Sequence, residues 1–161
     1  MAKKTNSKAN PSPTIIPPVL TGVAGEYFVA AELSRRGYIA SISLRNTRGI
    51  DILATNQAAT RSITIQCKTN QRGEKIWMLN HKSEDFFAAD HYYIFVALAA
   101  ANQRPSFHVV PSKIVAKFTA DSHQRWLRTP GRGGRQHVDS PVRNFTDYDD
   151  TYLDRWDLLR L

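Results

Sequence analysis

Gly49 to Thr69 reads GIDILATNQAATRSITIQCKT, two apolar stretches around a polar turn. Ile50-Asp51-Ile52-Leu53 and Ile63-Thr64-Ile65-Gln66-Cys67-Lys68 each have the composition of a short strand, and NQAA between them supplies turn residues. Side chains alternate along a strand, so Ile63, Ile65 and Cys67 share one face, and Thr64, Gln66 and Lys68 share the other. The first set is core. The second places an amide and an ammonium two residues apart on one face. On the preceding strand Ile50 and Ile52 take the core side, which leaves Asp51 facing away from it, near Gln66 and Lys68 if the strands form a hairpin.

A carboxylate beside an amide oxygen suits a hard divalent cation, since magnesium takes oxygen ligands and keeps several waters. A neighbouring lysine can activate an attacking water or stabilise charge on a phosphodiester under attack. Upstream, TGVAGEYFVAAELSRRGY (residues 21–38) reads as a helix stopped by Gly37. Counting from Glu26, positions i+3, i+4 and i+7 are Val29, Ala30 and Leu33, all apolar. Glu26 therefore lies on the core-facing stripe, with Glu32, Arg35 and Arg36 expected toward solvent. A carboxylate on such a stripe is costly unless paired or coordinated. Its partners would be a metal shared with Asp51, or Lys68 directly. Asp51 and Lys68 alone would make an ordinary ion pair on a half-exposed sheet; Glu26 is what tilts the reading toward a site.

The order helix-glutamate, strand-aspartate, strand with acid-x-lysine resembles the PD-(D/E)xK nuclease superfamily, the restriction-endonuclease-like fold that includes archaeal Holliday-junction resolvases. Glu26 in GEYFVAAEL, Asp51 in GID and Gln66-Cys67-Lys68 carry the resemblance, over about residues 21–110. Ile50 stands where the motif name has proline, and Gln66 stands where the second acid would be. The resemblance implies a mixed α/β sheet flanked by helices with an αβββαβ core. It also implies Mg²⁺ or Mn²⁺ held by Asp51, Glu26, Gln66 and the Cys67 carbonyl, with Lys68 activating water for phosphodiester hydrolysis. An amide ligates magnesium without bringing charge, so the Gln66 variant binds metal more weakly than a two-acid strand.

The rest of the chain fits one α/β domain. Its 161 residues with 42% hydrophobic content suffice for a single core. Residues 1–20, rich in lysine, serine, asparagine and proline, read as a flexible basic arm before a domain at 21–161. Strands are expected at YIASISL, GIDILAT, RSITIQCKT, KIWMLN, HYYIFVALAA and SFHVV. Helices are expected over EDFFAA behind a Ser83 cap, over SKIVAKFTADSH behind Pro111, with Ile114, Val115 and Phe118 on one side, and over YDDTYLDRWDLLRL, docked by Trp156 and Leu159. No signal-peptide core or membrane-length run is present, and the single Cys67 allows no intramolecular disulfide. A soluble cytoplasmic protein is expected. The histidines lack metal-site spacing, and GRGGR (131–135) lacks the context of a phosphate loop.

The formal charge of +8 sits in the middle of the chain. Residues 139–161 hold six aspartates against three arginines, and the first twenty carry only Lys3, Lys4 and Lys8. A basic folded body suits an anionic polymer. Arg45, Arg48 and Arg72 flank the expected site as phosphate contacts, and Arg132 and Arg135, with Arg125 and Arg128, are either a phosphate-gripping loop or a solvated turn. The leading expectation is thus a metal-dependent DNA endonuclease, with homodimerisation among its partner expectations and no membrane. The competing readings are a catalytically inactive nucleic-acid-binding module of the same fold, and a protein-interaction or immunity domain using the acidic C-terminal segment.

Overall fold

A computed structural model describes residues 16–44, 49–100 and 102–161. Its elements run α1 (Pro18–Arg35), β1 (Ile39–Ile42), β2 (Ile52–Thr55), β3 (Ser62–Asn70), β4 (Ile76–Asn80), β5 (His91–Ala97), β6 (Ser106–Pro111), α2 (Ser112–Arg128) and β7 (Val142–Thr146). The fold is mixed α/β. A five-stranded sheet has the order β1-β2-β3-β5-β6, and β4 pairs with β7 in a separate two-stranded sheet. β3 runs antiparallel to β2 and parallel to β5, with Gln66 opposite Tyr93 and Lys68 opposite Phe95. β5 is an interior strand between β3 and β6, and every one of its residues is buried, as a continuous apolar run requires of a strand covered on both faces.

Two cores lie on the two faces. α1 lays Val29 and Leu33, both fully buried, against Ile52, Ile65, Cys67 and Ile94. Across the sheet, Tyr93, Phe95, Val110 and Val115 pack with Trp77 and Phe145 of the small sheet. Truncating Leu33 to alanine in such a place costs about 2–5 kcal/mol. The Trp77 indole donates to the Val96 carbonyl at 2.9 Å, which ties β4 to the central sheet without pairing with it.

Several expectations are corrected. Pro18, Val19 and Leu20 form the first turn of α1, so the N-terminal arm is shorter than residues 1–20; residues 1–15 lie outside the described ones. Proline is well placed there, because its missing N–H would be unpaired anyway. Glu32 does not face solvent. It is 6% exposed, hydrogen-bonded by Arg35 and Arg36 of its own helix and reached by Arg104 from the β5–β6 connection. Three cations within reach of one carboxylate make its burial tolerable.

No α-helix forms over EDFFAA. The chain makes a 3-10 turn at His81–Glu84, capped by Asn80, whose side chain accepts from the Lys82 N–H. Ser83 is buried instead, its hydroxyl donating to Thr119 at 3.4 Å. Six residues are too few for a helix without strong tertiary support. On α2 the buried stripe is Ser112, Val115, Ala116, Thr119 and His123, whereas Ile114 is 40% exposed. The closing helix is also absent. Asp147 accepts the N–H groups of Thr151 and Tyr152, and Asp150 and Asp154 adopt positive φ, which a helix excludes. Only a 3-10 turn, Trp156–Leu159, remains, and both of its end residues dock into the core as expected.

Candidate active site

Asp51 precedes β2 rather than lying inside it. Its N–H donates to the Ile65 carbonyl at 2.8 Å, and its carbonyl accepts from Ser43 at 2.9 Å, which fixes the residue between β1 and β3. Ile65 and Cys67 direct their backbone groups toward the same neighbour, but β2 begins only at Ile52. The Cys67 N–H therefore lacks a strand partner, and the Asp51 carboxylate takes that place, accepting at 2.7 Å. A carboxylate bonded to a backbone N–H at the point where two strands part is held firmly while remaining half-buried.

Around Cys67 three elements meet. Its thiol lies on the α1 face, is buried, and is pushed well above its usual pKa by that burial and by the charges of Asp51 and Glu26, with Lys68 opposing. Asp51 is itself shifted upward by burial, partly offset by the Cys67 N–H and by Lys68. Glu26 from α1, Asp51 before β2 and Lys68 from β3 thus act electrostatically on one point. Gln66 and Lys68 take the opposite sheet face from Cys67, as alternation requires.

The approach of α1 depends on Gly25. A Cβ placed there would fall 1.9 Å from Thr69 Oγ1, so only glycine lets the helix lie this near β3. Thr69 Oγ1 is buried and has no hydrogen-bond partner among the described residues. Lys68 and Thr69 also line an open groove of about 410 Å³, together with Arg72, Trp77, Met78 and Asn144. Arg72 is thus brought beside Lys68, whereas Asp51 and Glu26 are not part of that lining. At its α1 end, Gln71 clamps the Ile16 backbone, accepting from its N–H and donating to its carbonyl, each at 2.9 Å.

Arg45 and Arg48 lie outside the described residues. Arg132 opens a 3-10 turn after α2 and Arg135 follows it, both apart from the groove lining. Two further residues belong near the site. Tyr93, beside Gln66 on β5, is buried, and burial and the Asp51 charge push its phenol up to about 12, so it stays protonated. His91, two residues earlier on the same face, bonds Thr64 Oγ1 at 2.8 Å, while its Nε2 is buried without a partner among the described residues. Burial lowers its pKa, with the Thr64 contact opposing. Both were readable in HYYIFVALAA as polar side chains at alternate positions, opposite Thr64 and Gln66.

Among the described residues no group of three or more histidine, cysteine, aspartate or glutamate side chains is placed to hold a metal. The donors present are two carboxylates and an amide, all oxygen, and Asp51 is penalised by burial in a way a bound cation would relieve. That set fits a weakly held hard cation rather than a tight multi-acid centre.

No helix among the described residues is long and apolar enough to cross a membrane. No protein-family model matches the chain, and no curated protein matches it by sequence. Among solved structures it is similar to the 1.6 Å structure of Hjc, a Holliday junction resolvase from the archaeal hyperthermophile Archaeoglobus fulgidus. The identity is 16%, the match covers 78% of this chain and 84% of that one, and the TM-score is 0.45.

Proposed function

We propose that this protein is a metal-dependent nuclease that hydrolyses phosphodiester bonds of DNA at the Glu26–Asp51–Lys68 cluster. What supports the reading is Asp51 fixed by the Cys67 N–H at 2.7 Å, beside a thiol whose charge is influenced by Glu26, Asp51 and Lys68 from three separate elements. Asp51 and Glu26 would hold Mg²⁺ or Mn²⁺, with Gln66 and the Cys67 carbonyl as neutral oxygen donors. The ion supplies Lewis-acid charge at the scissile phosphate. Lys68 orients the attacking water and neutralises charge that builds on the phosphate oxygens. The Cys67 N–H fixes the Asp51 carboxylate and keeps it from rotating away. Arg72, beside Lys68 in the groove, would hold the strand by its backbone, which sets position without reading sequence.

The test is cleavage of supercoiled plasmid, single-stranded DNA and RNA with Mg²⁺ or Mn²⁺, wild type beside Asp51→Ala and Lys68→Ala. Cleavage by the wild type alone supports the assignment and reveals the substrate; equal cleavage by all three, or none, removes it. A second reading, a nucleic-acid-binding module without catalysis, draws on Gln66 in place of a second strand acid and on the missing three-ligand metal group among the described residues. Such a module binds DNA with steep salt dependence and no metal requirement.

A further inference from the structure

Among the described residues some arginines pair with a carboxylate and others do not, Arg72 and Arg160 being two of the latter outside residues 122–138. Arg35, Arg36, Arg61, Arg104, Arg143 and Arg155 each pair with a carboxylate. Arg125, Arg128, Arg132 and Arg135 have no ion pair among the described residues, are all exposed, and fall within eleven consecutive positions. From Ser122 to Val138 the chain has no acidic residue. The flanking acids are already matched: Asp121 by Lys117 at 2.6 Å, and Asp139 by His123 at 2.7 Å. Four arginines without an ion pair among the described residues therefore lie together at one end of α2 and in the loop that follows.

That loop is pinned. The His137 ring stacks on Trp126 of α2, with centroids 4.0 Å apart and planes at 20°. His123, one turn earlier on α2, stacks on the same indole at 5.3 Å and holds Asp139 from the far end of the loop. Between these two fastenings, Gly131 donates to the Arg135 carbonyl, Gly134 donates to the Gly131 carbonyl, and Gly133 and Gly134 take positive φ. Glycine is needed there, since a side chain would be strained in that conformation. Four guanidinium groups are thus presented on a scaffold ordered before any partner arrives, which lowers the entropy lost on binding.

We propose that the end of α2 and the 131–137 loop form a second nucleic-acid-binding surface, outside the Asp51–Lys68 site, which takes the phosphate backbone through Arg125, Arg128, Arg132 and Arg135. Four like charges within eleven positions favour a polyanion, which neutralises them while releasing its own counterions. Guanidinium forks suit phosphate oxygens. Nucleic acid as the partner rests on the nuclease reading; the binding itself does not need that reading to be right.

The experiment is fluorescence anisotropy with labelled DNA duplex and single strand, in EDTA so that nothing is cut, between about 50 and 200 mM salt. Wild type is compared with Arg132→Gln/Arg135→Gln and with the quadruple glutamine variant, each checked for a native circular-dichroism melt. The quadruple variant is expected to bind at least tenfold more weakly, and its log–log salt slope should flatten by about one per lost phosphate contact. Unchanged affinity and slope would overturn the proposal. So would arginine-dependent binding to phosphatidylserine vesicles with none to DNA, which would assign the surface to a membrane. Should the wild type cut nothing while the arginine effect persists, the nuclease reading fails and this surface stands. Cleavage by the wild type with unaltered binding by the quadruple variant is the reverse outcome.

Discussion

Gly25→Ala sets two opposing effects against each other at the point where α1 meets β3. Alanine is favoured over glycine inside a helix by about 0.5–1 kcal/mol, so propensity alone predicts stabilisation. The new methyl would stand 1.9 Å from Thr69 Oγ1, 2.9 Å from Thr69 Cβ and 3.0 Å from Cγ2. An ordinary carbon contact lies near 3.5 Å, so the helix must rise by more than an ångström or Thr69 must leave its place. Rotating the threonine does not suffice, because its Cβ is itself too close. Overpacking of this kind costs about 1–3 kcal/mol, and at mid-range the clash wins by about 1 kcal/mol. Chemical denaturation followed by circular dichroism reads the loss directly. Thr69→Gly on the alanine background removes every clashing atom, so the double-mutant cycle should show favourable coupling of at least about 1 kcal/mol. Because Glu26 follows Gly25, lifting the helix also withdraws it from Asp51 and Lys68, so cleavage should fall in Gly25→Ala even where the protein remains folded. If Gly25→Ala is neutral or stabilising, α1 does not approach β3 as described here, and the placement of Glu26 falls with it.

Three further outcomes are expected. Burial raises the Asp51 pKa, so its charged form weakens the fold at neutral pH, and that penalty vanishes as pH drops below the ordinary carboxyl range. Asp51→Asn, which still accepts from the Cys67 N–H, should therefore be more stable than wild type at neutral pH, equal to it in acid, and devoid of cleavage; denaturation at the two pH values checks this. For Glu32, burial acts upward on the pKa, but the Arg36 and Arg104 hydrogen bonds outweigh it and the net shift is downward. Its contribution is present above the ordinary carboxylate range and lost as pH falls through it, and Glu32→Ala should destabilise by about 1–3 kcal/mol at neutral pH with little effect in acid. Trp77→Phe should lose about 1–3 kcal/mol in the same assay, since it deletes the buried bond to the Val96 carbonyl.

The elements nearest the site were legible because their signals are local. Alternation in RSITIQCKT assigned Cys67 to the core and Lys68 to the other face, and the Val29–Leu33 stripe aimed α1 at the sheet. Asp51 was identified as special, but its bond to the Cys67 N–H was not, because that depends on where β2 ends. Glu32 was misread since two of its partners, Arg35 and Arg36, look like a solvated helix surface, and the third, Arg104, is 72 residues away. β7 was missed for the same reason: Arg143 and Phe145 alternate inward, but they show as a strand only beside β4, with Trp77 opposite Phe145. The acidic segment after it resembled a helix in composition, yet Asp147 uses its side chain to build turns.

The wall of the groove beside Lys68 has a consequence for how the protein comes into being. All five strands of the central sheet lie between Ile39 and Pro111, so the first 111 residues contain every side chain of the candidate catalytic cluster. The far wall comes from Met78 on β4 and Asn144 on β7, which face each other only when the two strands pair. A chain emerging from the ribosome thus holds its charged cluster long before it has a cleft in which to grip a strand. Proteolytic loss of residues 142–161 would act in the same direction, since it removes β7 and with it the far wall of the groove. Competence is withheld until β7 has been made and paired with β4.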